Sequence, residues 1–150
     1  MRIKKVKIQS DDRILIVYEQ KNNTGKIDEL SLNCAERAEP TFYKSLQALN
    51  ESVAEICEID KPEKIIVTGI TFSYSGEKEV MGAVITAQRK LLHSNCPLNL
   101  NTPHKIETFH AEKGDDKQLL PEKSINLLYK VHEECERYIN GNREQQKLDI

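Results

Sequence analysis

A chain of 150 residues, 38% hydrophobic and 31% charged, has the make-up of one ordinary globular domain and enough length to bury a core shared by strands and helices. The formal net charge of −2 excludes a bulk attraction for nucleic acid, so any anion site has to be local. No run approaches the roughly 20 apolar residues that cross a bilayer, and the opening "MRIKKVKIQSDD" lacks the apolar centre of a signal peptide, which predicts a cytoplasmic protein without membrane contact.

Three runs rich in branched residues come first: "IKKVKIQ", "RILIVYE" and "IDELSLN". The turn-forming stretches "SDD" and "KNNTGK" separate them, which predicts a three-strand meander. Arg2, Lys4, Lys5 and Lys7 precede any acid; they suit a charged edge strand, or alternatively a phosphate-binding stripe. In the second run Ile14, Ile16 and Tyr18 alternate with Leu15 and Val17, a pattern expected of a central strand covered on both faces. From Pro40, the residues Phe42, Leu46, Leu49, Val53 and Ile56 recur at helical spacing and predict a helix laid on the sheet. Pro62 breaks that pattern, and a strand begins at Ile65.

"GITFSYSGEKEVMGAVITAQRK" reads as a long hairpin with Tyr74, Ser75, Gly76 and Lys78 at its loop. Alternation places Ile66, Thr68, Ile70, Phe72 and Tyr74 on one face of the outgoing strand. Met81, Ala83, Ile85 and Ala87 share one face of the return strand and Val80, Gly82, Val84 and Thr86 the other. With apolar or small residues on both faces, the hairpin Ile65 to Lys90 is expected to meet another element or a second subunit, giving a homo-oligomer, a dimer or higher. Gly82, a glycine in a strand interior, suggests a bulge or a close approach.

Residues 93–119 hold no sustained period. "SNCPLNLNTPHK" is dense in Asn, Thr, Pro and His and predicts a binding loop or a strap over the sheet edge; "ETFHAEKGDDK" predicts a mobile surface loop. From Pro121 the stripe Ser124, Leu128, Val131, Cys135 and Tyr138, flanked by Ile125, His132 and Ile139, predicts a closing helix that stops at Asn140 and Gly141. The expected fold is therefore α+β: an antiparallel sheet of about five strands in the order β-β-β-α-β-β-long loop-α, with two helices mainly on one face. One domain spans residues 1–142 and a frayed tail 143–150.

Cys34, Cys57, Cys96 and Cys135 form no C-x-x-C, as reduced structural thiols would not. His93, His104, His110 and His132 show no chelating spacing, and neither glycine-rich phosphate motif is present, so no metal and no cofactor are predicted. No catalytic residue is assigned, and a protein that is not an enzyme is the expectation.

The stretch "VTGITFSYSGEKEVMGAVITAQRKLLHSNCPLNLNTPH", with "KQLLP" and the opening "MRIKKVKIQ", resembles a group of small early-region proteins of bacteriophages and prophages of mainly Gram-positive bacteria, often encoded near recombination functions. The resemblance brings no activity and no site residues with it. It implies a setting, the cytoplasm of a bacterial host, where proteins of this size serve recombination and replication or blunt host defence. In that setting the expected function is non-catalytic binding and sequestration of a small phosphate-bearing nucleotide, a host immune signal. The alternative is an interaction protein that inhibits a host defence enzyme or assists phage recombination and replication, through single-stranded DNA if the N-terminal lysines align with Arg89 and Lys90. By chemistry, Tyr74 would stack on a base, Lys78 and Arg89 would neutralise phosphate, and Ser75 with the Gly76 amide would donate to its oxygens. Asn101, Thr102, His104 and Lys105 would read base edges or ribose hydroxyls; each of these residues also suits an ordinary turn or surface role.

Overall fold

The computed structural model describes residues 1–109 and 115–144. Among them, one antiparallel sheet is built from β1 (Arg2–Ile8), β2 (Ile14–Lys21), β3 (Ile27–Cys34), β4 (Ile65–Ser75), β5 (Val80–Arg89), β6 (Leu98–Asn101) and β7 (Lys105–Ile106). The spatial order is β3-β2-β1-β4-β5-β6, with β7 also pairing β5. The helical segments α1 (Pro40–Gln47), α2 (Asn50–Cys57) and α3 (Glu122–Ile139) pack on one face. The fold is α+β as the sequence predicts. It has more strands than the expected five because the strap after β5 lends its backbone to the outer edge of that strand.

Two β-bulges decide which side chains reach the core. Ile3 and Val6 are three residues apart, so strict alternation would place them on opposite faces. The register of β1 on β2 shifts between Ile3 and Lys5, and both side chains are fully buried as a result. The pairing of β4 with β5 shifts in the same way between Val67 and Gly69. Ile65 and Val67 before the shift, and Ile70 and Phe72 after it, therefore face the helices together. Ile66, expected on the face of Ile70, is turned to the other side and left 40% exposed.

Strand β1 is not an edge: it lies between β2 and β4, and Lys5 and Lys7 stand exposed opposite Thr71 and Gly69 on the face without helices. Strand β2 is interior but covered on one face only, since Leu15 and Val17 remain half-exposed. The hairpin of β4 and β5 has both long edges paired, to β1 and to β6 and β7, and its apolar face lies under the helices. The apolar pattern that pointed to a second subunit is thus largely absorbed within one chain.

The predicted stripe Phe42, Leu46, Leu49 and Val53 is buried. Its helix is divided at Ala48 and Leu49, where the Leu49 N–H donates to Leu46 O (3.1 Å) before Val53 N–H resumes the helical pattern on Leu49 O (3.0 Å). One turn tightens and the apolar face is kept. In α3, Ser124, Leu128, Val131, Cys135 and Tyr138 are all buried. Ser124 Oγ donates to Ser52 Oγ (2.7 Å), and buried Glu134 accepts from Thr41 Oγ1 (3.0 Å) and from Arg137, tying α3 to α2 and α1. Arg143 and Glu144, assigned by sequence to the frayed tail, are bonded: the Arg143 guanidinium lies 4.4 Å over the Tyr138 ring, and the Glu144 N–H donates to Arg37 O (3.1 Å). The rest of that tail, 145–150, and residues 110–114 of the expected mobile loop lie outside the described residues.

His132, beside the α3 stripe, accepts the Ile3 N–H at Nε2 (3.2 Å), so its neutral ring carries the proton at Nδ1, 2.7 Å from Glu136 Oε1. Burial holds its pKa below the ordinary histidine value, against the opposing pull of Glu136. Unfolding then takes up a proton below the ordinary value of about 6.5, so the stability His132 contributes is complete above that pH and lost as pH falls through its lower folded value. Denaturant titrations from about pH 7.5 to about pH 5.5 should show the midpoint falling in the wild type and a flatter profile in His132→Gln, which keeps an acceptor but no titrating ring.

Candidate functional site

The strap that follows β5 organises the uncovered face. In β6 the short run "LNLN" alternates, and Asn99 and Asn101 pair with Gln88 and Thr86 on the open side of the sheet. Thr86 Oγ1 donates to Asn101 Oδ1 (3.0 Å) and Gln88 Nε2 to Asn99 Oδ1 (3.4 Å). Thr102 is buried and stands in for a ladder partner: its N–H donates to Ile85 O (3.0 Å) and its Oγ1 accepts from the Ile85 N–H (2.9 Å).

The chain then lays His104 across β5. A Cβ at Gly82 would meet His104 Nε2 at 2.5 Å and Ser73 Oγ at 2.6 Å. Only hydrogen at this position admits the ring, which explains a glycine in a strand interior by close approach. His104 Nε2 and Ser73 Oγ are 2.8 Å apart and share a hydrogen bond that latches the strap to β4.

The residues proposed from sequence separate into groups. Asn101, Thr102 and His104 come together along the strap, with Thr102 used structurally. Lys105 turns away, its Nζ donating to the Lys117 carbonyl. Tyr74 is on the helix face: its hydroxyl donates to Ile3 O (2.7 Å), Arg2 lies 5.3 Å over its ring, and burial pushes its phenol pKa up. It is not available to stack on a base. Ser75, Gly76 and Lys78 sit at the hairpin tip, where Gly76 (φ 75°) accepts the Glu79 N–H at 3.2 Å. Arg89 is at the opposite end of β5, about 30 Å from that tip at ~3.3 Å per residue. Lys78 and Arg89 therefore do not share one phosphate.

Around Arg89 a different set gathers. Ile65 pairs with Arg89, so the residues before β4 and after β5 meet: Lys61, Lys64, Arg89, Lys90 and His93 line a groove of about 430 Å³. Arg89 is partly engaged, its Nη atoms donating to Asp60 O (2.8 Å) and Oδ1 (3.1 Å), and this bond holds the Asp60 carboxyl below its usual range. Lys64 and Lys90 form no ion pair among the described residues. Lys61 is held at φ 56°, a left-handed conformation that costs a non-glycine residue roughly 1–2 kcal/mol. An adjoining groove of about 340 Å³ shares Lys90, Leu91 and Ser94 and adds Ile66, Gln88 and Asn95. A third, of about 1030 Å³, runs over the open face past Thr68, Thr86, Gln88, Asn99 and Asn101 to Lys7, with Asp12 at its outer wall.

Lys61, Lys64 and the amides of Gln88 and Asn95 were missed by the sequence reading. The signal was the hairpin itself, because pairing through its length forces the residues that flank its open end together. No family model, no curated protein and no solved structure matches the chain.

The Ser73–His104 latch makes a specific demand on Gly82. Gly82→Val should displace the ring and free the strap, raising amide hydrogen exchange across Thr102–Glu107 and destabilising the fold by about 1–3 kcal/mol. Ser73→Ala, which removes the bond without crowding, should raise exchange in the same segment to a smaller extent.

Proposed function

We propose that the chain is a non-catalytic binding protein that captures a small phosphate-bearing nucleotide at the basic end of the sheet. The observation that carries this reading is the meeting of Lys61, Lys64, Arg89 and Lys90 around one groove, directly beside a second that offers the Gln88 and Asn95 amides among Ile66, Leu91 and Pro97. Ammonium and guanidinium groups suit phosphate, amides suit base edges or ribose hydroxyls, and the aliphatic side chains suit the faces of a base. Of the residues proposed from sequence, Arg89 stays in this site and the others give way to its new neighbours. In the phage setting that the sequence resemblance suggests, such capture would withdraw a nucleotide immune signal from the host.

A second reading has its own observation. Leu92 is 82% exposed, and Leu91 and Leu98 are 43% and 47% exposed beside the same cations. An apolar cluster ringed by positive charge also suits an acidic protein surface.

Isothermal calorimetry with a panel of linear and cyclic nucleotides tests the first reading. Loss of a charge-assisted hydrogen bond costs about 1.5 to 3 kcal/mol, so Lys64→Ala and Lys90→Ala should each weaken binding tenfold or more. Lys78→Ala, at the far end of the hairpin, should leave it unchanged. No binding at micromolar concentration, with a host protein retained in native mass spectrometry of material from infected cells, would give the lead to the protein-directed reading.

A further inference from the structure

The basic groove does not end at Lys90. The second groove shares Lys90 with it, and the third shares Gln88 with the second, so the three form one trough that wraps from the end of the sheet onto its open face. The far end holds Lys7, exposed on β1 opposite Gly69, which in turn pairs Thr86. Four residues along β5 at ~3.3 Å each and two strand spacings of ~4.8 Å separate the backbones at Lys90 and Lys7 by about 16 Å.

The chemistry along this path is graded. Cations stand at both ends. Between them the walls are mostly uncharged and rich in hydrogen-bonding groups, Thr68, Thr86, Gln88 and Asn101, with Asp12 the acid among the residues that line the open-face section. Lys7, like Lys90, forms no ion pair among the described residues, whereas Arg2 and Lys4 on the same strand are bound by Glu19 (2.6 and 3.3 Å). A drug-sized ligand fills about 300–1,000 Å³. A trough whose open-face section alone is about 1030 Å³, joined to two further grooves, has room for more than one nucleotide unit.

Resting on the phosphate reading of the basic groove, we infer that the ligand is a short single-stranded oligonucleotide, with one phosphate held by Lys64 and Lys90 and another, a few nucleotides along, by Lys7. The uncharged hydroxyls and amides between them bond sugars and base edges. Two neutralised phosphates give an expected slope of log affinity on log salt near −1.4, at about −0.7 per phosphate for single strands.

Fluorescence anisotropy with labelled oligothymidylates of increasing length, together with a labelled thymidine monophosphate, tests this directly. Affinity should rise steeply from the mononucleotide to strands of a few nucleotides and then level off once the trough is filled. In Lys7→Ala the length dependence should collapse, with affinity for the longer strands down roughly tenfold and the salt slope reduced by about 0.7. An unchanged thermal transition would show that this exposed lysine is not needed for folding. Equal affinity for the mononucleotide and the longer strands, or a Lys7→Ala variant that keeps the full length dependence, overturns the inference and leaves the mononucleotide reading standing. No binding of either probe at millimolar concentration overturns both.

Discussion

Everything on the uncovered face depends on a constraint inside the sheet. Two strands that carry buried residues at odd separations, Ile3 with Val6 and Val67 with Ile70, are brought into phase by a bulge in each. Without the extra residue in β1, Val6 would turn out of the core and Lys5 and Lys7 could not both face away from the helices. Without the one in β4, Ile70 and Phe72 would leave the helix-covered core while Thr71 and Ser73 entered it. Each bulge trades a ladder position for a consistent apolar face. What results is a sheet with all its helices on one side and a polar face left open on the other.

The sequence made the large features legible because they are periodic. Helical spacing in Phe42, Leu46, Leu49 and Val53 and in Ser124, Leu128, Val131 and Cys135 marked the side chains that became the helix half of the core. Alternation in Met81, Ala83, Ile85 and Ala87 gave the correct inner face of β5. It failed where period two is interrupted. The bulge at Thr68 inverted Ile66, and no local signal separates a bulge there from plain strand. Strand β1 read as an edge because its lysines suit one, yet the lysines of an interior strand with one open face look the same in sequence. β6 was passed over although "LNLN" alternates, because four residues in an Asn-rich loop carry less weight than the loop composition around them.

The candidate site shows the same division. Of the residues chosen by type, Arg89 lines the basic groove and Asn101 the open-face one, but spacing along a hairpin was not converted into distance. Residues at its tip and at its open end were therefore assigned to one ligand although a whole strand lies between them. The grouping that the fold does make, Lys61 and Lys64 with Arg89 and Lys90, follows from antiparallel pairing of Ile65 with Arg89. The net charge of −2 hid it, because acids elsewhere offset these cations in the sum while only Arg89 among them is ion-paired, to Asp60, among the described residues. Arg2 and Lys4 are taken by Glu19 and Arg137 by Glu39, while Lys7, Lys64 and Lys90 are left without such partners among the described residues. Charge that is unpaired and close to a groove matters for an anion; the sum over the molecule does not.

Aromatic side chains set the last limit on what this surface recognises. Phe42 and Phe72 are buried, Tyr138 and Tyr74 spend their hydroxyls on the Glu36 and Ile3 carbonyls, and Tyr43 accepts the Ala38 N–H. Tyr129 donates to Glu107, and burial, with that bond second, pushes its phenol pKa up to about 12. None of these rings lines the three grooves. On the nucleotide reading, base stacking, which supplies about 1–3 kcal/mol per base in aromatic-lined single-strand sites, would be replaced by phosphate charge and by amide and hydroxyl contacts. Such a surface would discriminate by the number and spacing of phosphates more than by the identity of the base, and its affinity would follow ionic strength closely.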